Sequence, residues 1–102
     1  MQISNCIENN VLKIKLIGEL DEYTANRTRD RLDSLFLKNN YTTVIIDMSE
    51  LTFMDSTGIG VLIGRYKKIK CDNKQIFISN PNKQIEKIFK MSGLYEIMPK
   101  IS

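Results

Sequence analysis

The chain predicts an α/β fold: a mixed central β-sheet with packed helices, in the order β-β-α-β-α-β-α. Three observations carry this. Segments with strand-like apolar patterning interchange with segments at helical spacing. The strand-helix-strand succession demands right-handed crossovers and a largely parallel sheet centre. An Asn9-Asn10 pair between the first two strand patterns marks a tight antiparallel hairpin at one edge, because Asn tolerates positive φ. At 102 residues the chain is long enough for one modest core and too short for two. Residues 1–102 are therefore read as a single domain.

Residues 1–7 and 11–17 read as the first two strands. In the second, Val11, Leu12, Ile14, Leu16 and Ile17 nearly alternate with Lys13 and Lys15, and Gly18 ends it. A polar connection follows, in which Asp21 or Thr24 caps the next helix. Ala25, Thr28, Leu32, Leu35 and Phe36 form one helical stripe, and Asn39-Asn40 stops it. Residues 43–48 are a β-branched run without polar alternation until Asp47, the pattern of a central strand buried on both faces. Residues 49–55 read as a loop. From Ser56 the pattern is helical, with Ile59, Leu62, Ile63, Tyr66 and Ile69 on one side. Residues 75–78 form a short strand. Asn80 as cap and Pro81 as first helical residue start the third helix. It turns Ile85, Ile88 and Phe89 inward and ends at Gly93 as a left-handed cap. Residues 94–98 add a last edge strand before Pro99.

Net charge is +3, too small and too scattered to argue for nucleic acid. Glu19, Asp21, Glu22, Asp47, Glu50 and Asp55 make the regions before the first two helices acidic, so a basic partner is expected to approach from that end. Lys67, Lys68, Lys70 and Lys74 are read as a solvated basic face. Cys6 and Cys71 match no metal or redox spacing and are read as reduced thiols, with a disulfide as the minor alternative. No signal peptide and no apolar run of membrane-spanning length is visible, and a cytoplasmic protein is expected.

The stretch Phe53-Met54-Asp55-Ser56-Thr57-Gly58-Ile59-Gly60 joins a strand pattern to a helix pattern. It sets two hydroxyls beside a carboxylate at a helix N-terminus, where unpaired N–H groups and the helix dipole favour a phosphate. The chain has no histidine, which removes Ser-His-Asp catalysis, histidine general-base chemistry and most zinc sites. It also has no phosphate-binding loop motif and no dinucleotide fingerprint. The hydroxyl site reads as something acted upon, and the protein as no enzyme. Ser56 nevertheless has two readings from the residues alone, helix cap and phosphate acceptor. Gly58 and Gly60 either pack closely or touch a partner, and Gly64 is costly in a helix in the same way. Phe53 and Met54 are either core or interface.

Three segments resemble the anti-sigma factor antagonist family, the small single-domain branch of the STAS fold. They are Gly18-Glu19-Leu20-Asp21, the run from Phe53 to Leu62 continuing into Gly64-Arg65-Tyr66-Lys67, and Ile88-Phe89-Lys90-Met91-Ser92-Gly93-Leu94. The resemblance is greatest to the branch that acts in sporulation on an anti-sigma F factor. It implies a partner switch: the unphosphorylated protein binds an anti-sigma factor that is also a serine kinase, and so frees a sigma factor. The kinase brings its own ATP, phosphorylates the antagonist and releases it, and a serine phosphatase resets it. Ser56 matches the family's phosphorylated serine. Thr57 stands where many members carry a second serine. The resemblance implies Glu19, Asp21, Met54, Asp55, Thr57 and Gly58 as partner contacts, with Asp21 as a salt-bridge candidate. It implies no cofactor or metal of the chain's own, no direct contact with DNA or membrane, and a free monomer. The alternatives are a general-stress-type antagonist, a weak nucleotide-binding protein, and a STAS-like module of a larger assembly.

Overall fold

The computed structural model describes residues 1–102. The elements are β1 (Gln2–Glu8), β2 (Val11–Leu20), α1 (Ala25–Lys38), β3 (Thr43–Met54), α2 (Ser56–Lys70), β4 (Gln75–Ser79), α3 (Lys83–Ser92) and a single 3-10 turn, Leu94–Glu96. The four strands lie in the order β1-β2-β3-β4. β1 and β2 are antiparallel, closed by Asn9 and Asn10 at φ 53° and 66°. β2, β3 and β4 are mutually parallel. Because the order advances one strand at each right-handed crossover, α1 and α2 fall on the same face.

That face is the core. Leu12, Ile14 and Leu16 of β2, Val44, Ile46 and Met48 of β3, and Ile76 and Ile78 of β4 point into it. They meet Leu32 and Leu35 of α1, Leu62 and Ile69 of α2, and Ile85 and Phe89 of α3. On the other face, Ile45 of β3 stands beside Phe77 of β4, both half-buried, so β3 is central without being covered equally on both sides.

Four boundaries differ from the sequence reading. β2 does not stop at Gly18. Glycine at φ 115° carries the strand through register shifts on either side of positions 17–18, and pairing resumes with Glu19 opposite Phe53. β3 likewise runs on to Met54 in place of the expected loop, because its C-terminal half pairs with the extended end of β2. α3 begins at Lys83 with Asn82 as its cap, accepting from Ile85 N–H at 2.9 Å. Asn80 instead turns the chain at φ 55°, and Pro81 lies outside the helix. Residues 94–98 form the 3-10 turn and its exit, not a strand. The edge pairing comes after Pro99, where Ile78 donates to Pro99 O at 2.9 Å and Ile101 to Ile78 O at 2.9 Å. Gly93 does end α3 in the left-handed conformation, at φ 76°. Cys6 and Cys71 are both free and on the surface.

Candidate functional site

The parallel strands β2 and β3 end side by side, and their C-terminal ends carry the residues singled out above. In parallel α/β sheets this is the end where ligands are bound. Leu20 pairs with Met54, and Asp55 N–H donates to Leu20 O at 3.3 Å, so the turn into α2 is sewn to the last residue of β2.

Asp55, not Ser56, caps α2. Its backbone is extended at φ −112° and ψ −173°, and its Oδ1 accepts from Gly58 N–H at 3.0 Å. The carboxylate thus satisfies one of the free donors of the first turn. This leaves Ser56 as the first helical residue with its hydroxyl unused and exposed, followed by exposed Thr57. The capping role thus falls on Asp55, and the Ser56 hydroxyl is left free at the surface.

Gly58 is enforced by packing. A methyl group there would sit 2.7 Å from Leu20 O, 2.7 Å from Met54 Cγ and 2.9 Å from Leu20 Cγ. Gly60 and Gly64 have no such neighbour within 4 Å. Met54 is 1% exposed, so of the pair left open by the sequence it is the core residue, while Phe53 is 41% exposed. In the free protein Met54 and Gly58 therefore lie behind the surface and shape it from within.

Asp21 is also occupied inside the protein. Its Oδ1 accepts from Tyr23 N–H at 2.9 Å and from Thr24 N–H at 3.1 Å. The position that caps α1 is Thr24, whose side chain makes no cap bond; its hydroxyl accepts from Asp21 N–H at 3.0 Å and donates to Glu19 O at 2.9 Å. Glu19 itself is exposed.

Sequence reasoning missed Gln84 and Asn82. Gln84 Nε2 donates to Met54 O at 3.2 Å, and Asn82 Nδ2 reaches Leu51 O and Thr52 O, both at 3.3 Å. The start of α3 is therefore fastened to the end of β3 just before Ser56. Nothing in the local pattern signals this, since both contacts cross about 30 residues of sequence. No helix of the fold is long and apolar enough to cross a membrane.

Residues 2–102 match the STAS domain family. An anti-sigma F factor antagonist from Paenibacillus polymyxa is 33% identical over 99 residues, spanning 97% of this chain and 85% of that one. The structure of the anti-sigma factor antagonist SpoIIAA in its unphosphorylated form superposes with a TM-score of 0.81 at 26% identity, covering 99% of this chain and 89% of the other. SpoIIAA, the Bacillus cell fate determinant, in its phosphorylated form gives a TM-score of 0.74 at 26% identity, covering 99% and 92%. The chain belongs to the STAS domain family, in its anti-sigma factor antagonist branch.

Proposed function

We propose that this protein is an anti-anti-sigma factor of the sporulation sigma F type, switched by phosphorylation of Ser56. Unphosphorylated, it binds an anti-sigma factor serine kinase and frees the sigma factor. The kinase supplies ATP, a serine phosphatase reverses the modification, and the chain acts in the cytoplasm as a monomer without binding DNA or membrane. The observation that carries this reading is the Ser56 hydroxyl, exposed and unused at the first position of α2 while Asp55 does the capping.

A phosphate on Ser56 adds roughly −1.5 to −2 charges. At a helix N-terminus the dipole and free N–H groups offset its repulsion from Asp55, so the fold tolerates it. The cost falls on the complex, where a dianion must share a partly desolvated interface with the kinase's own nucleotide phosphates. Each tenfold loss of affinity needs only about 1.4 kcal/mol. Release therefore requires no unfolding.

The test is calorimetric titration of the kinase, loaded with nucleotide, against three forms of the chain. Ser56→Ala is expected to bind like the wild type and stay bound in the presence of ATP. Ser56→Asp is expected to bind at least about tenfold more weakly. Equal binding by all three, with equal persistence in ATP, contradicts a switch at Ser56.

A further inference from the structure

A cavity of about 180 Å³ opens between the start of β1 and the N-terminal half of α1. Met1 and Ile3 wall one side, Arg27 and Arg31 the other, and Thr28 completes the lining. The two arginines stand about one helical turn apart and share a face of α1. Both are exposed, and neither takes part in an ion pair. Asp30, the carboxylate nearest to them in sequence, turns to Arg29 at 3.5 Å. Like charges at this spacing destabilise a helix unless something opposes them.

Thr28 is fully buried, yet its Oγ1 has no hydrogen-bond partner. A helical threonine ordinarily returns its hydroxyl to a carbonyl three or four residues back. Here Thr24 O takes the Thr28 N–H at 2.9 Å, and the hydroxyl bonds to nothing. A buried hydroxyl left unpaired costs stability. In this lining, beside two unpaired guanidinium groups, it finds an acceptor when a ligand brings one. That ligand needs negative charge for both arginines and a further acceptor oxygen for the hydroxyl. A phosphoryl group meets both needs, with roughly −1.5 to −2 charges at pH 7 and three acceptor oxygens. Guanidinium forks match it in shape, and a carboxylate has only two oxygens to share. The positive end of the α1 dipole adds to the attraction, since the helix starts at Ala25. The cavity falls below the roughly 300–1,000 Å³ of ordinary small-molecule pockets. It suits a lone phosphate or a small phosphomonoester and is too small to enclose a nucleotide.

We infer that Arg27, Thr28 and Arg31 form a binding site for a small phosphoryl anion, either free phosphate or a small phosphomonoester. The arginines supply the charge, and the Thr28 hydroxyl donates to the remaining oxygen. The exposed arginine side chains part to admit the anion and close on it. The bound anion relieves both the repulsion between the arginines and the orphaned hydroxyl, so it stabilises the fold. The site is built from α1 and β1 and is separate from Ser56, so it stands or falls independently of the partner switch.

The experiment is an amide NMR titration of the chain alone with sodium phosphate, glycerol phosphate and sodium chloride at matched ionic strength. Phosphate is expected to shift the amides of residues 27–31 saturably, with a dissociation constant of about a millimolar or tighter, and chloride to leave them in place. Tighter binding of glycerol phosphate than of phosphate identifies a phosphomonoester site, and the reverse a free-ion site; either supports the inference. Arg27→Gln and Arg31→Gln are each expected to weaken phosphate binding about fivefold or more, and Thr28→Val about threefold. Without anion, Thr28→Val is expected to keep or raise the urea midpoint, because it removes the orphaned hydroxyl at nearly constant shape. A Thr28→Val variant that loses stability and keeps its phosphate affinity overturns the role of the hydroxyl. Absence of saturable shifts with both phosphate compounds, or equal shifts with chloride, overturns the site. Shifts centred on Ser56 place the anion at the start of α2 and overturn it too, as does unchanged phosphate affinity in all three variants.

Discussion

Two glycines two residues apart have opposite physical status. A Cβ at Gly58 would crowd the Leu20 backbone carbonyl and the buried Met54 side chain, so Gly58→Ala is expected to destabilise by about 1–3 kcal/mol. Gly60 faces open space within a helix, so Gly60→Ala is expected to stabilise by about 0.5–1 kcal/mol. Urea denaturation of both variants measures the contrast, and a loss at Gly60 equal to that at Gly58 contradicts the packing described. The Asp55-Ser56-Thr57-Gly58 stretch was legible as a helix start because its residue types are those of a cap. Which residue caps was not legible, since aspartate and serine are about equally good there. The extended backbone of Asp55 decides it. Asp55→Ala is accordingly expected to cost about 1 kcal/mol in the same assay, and Asp55→Asn much less.

At the scale of elements, the types and order of the first seven were readable from the sequence, while their ends and the 3-10 turn at 94–96, read as a strand, were not. The three helices follow from apolar spacing, the hairpin from Asn9-Asn10 and the parallel centre from the strand-helix-strand succession. The extension of β2 past Gly18 and of β3 through 49–54 depends on each strand finding the other, a pairing that no local pattern encodes. Arg65 shows the same limit. Its charge gives no local sign of burial, yet it is 6% exposed, with Nε 3.0 Å from Asp33 Oδ1 of α1, and Lys68 Nζ lies 3.0 Å from Asp33 Oδ2. This cluster fixes α1 against α2. Asp33→Ala leaves a buried guanidinium without its counter-charge and is expected to cost about 3 kcal/mol. A loss of only a few tenths, the value of an exposed pair, contradicts that role.

For the whole molecule, part of the acid response follows from Asp47, a buried carboxylate on the sheet face opposite α1 and α2. Burial alone raises its pKa. The Ser49 N–H, bonded to Oδ1 at 2.9 Å, the Ser49 hydroxyl, Lys15 and Asn80 outweigh burial and hold the carboxyl below its ordinary value of 3.8. A carboxylate depressed in the folded state contributes stability that is fully present above its unfolded pKa. That contribution is lost as pH falls through the folded value. Urea midpoints are therefore expected to drop on acidification below a pH of about 4, and Asp47→Asn to flatten that part of the slope. An unchanged slope in the variant contradicts the assignment.

The same fold carries the acidic strand ends and Ser56 to one end of the sheet, and the proposed switch depends on that end. The most direct measurement is intact-mass spectrometry with site mapping after incubation with ATP and the anti-sigma serine kinase from the same genome. The account predicts one added phosphate, on Ser56, and none in Ser56→Ala. A stable complex with an active kinase that leaves Ser56 unmodified, or a phosphate placed elsewhere, contradicts it.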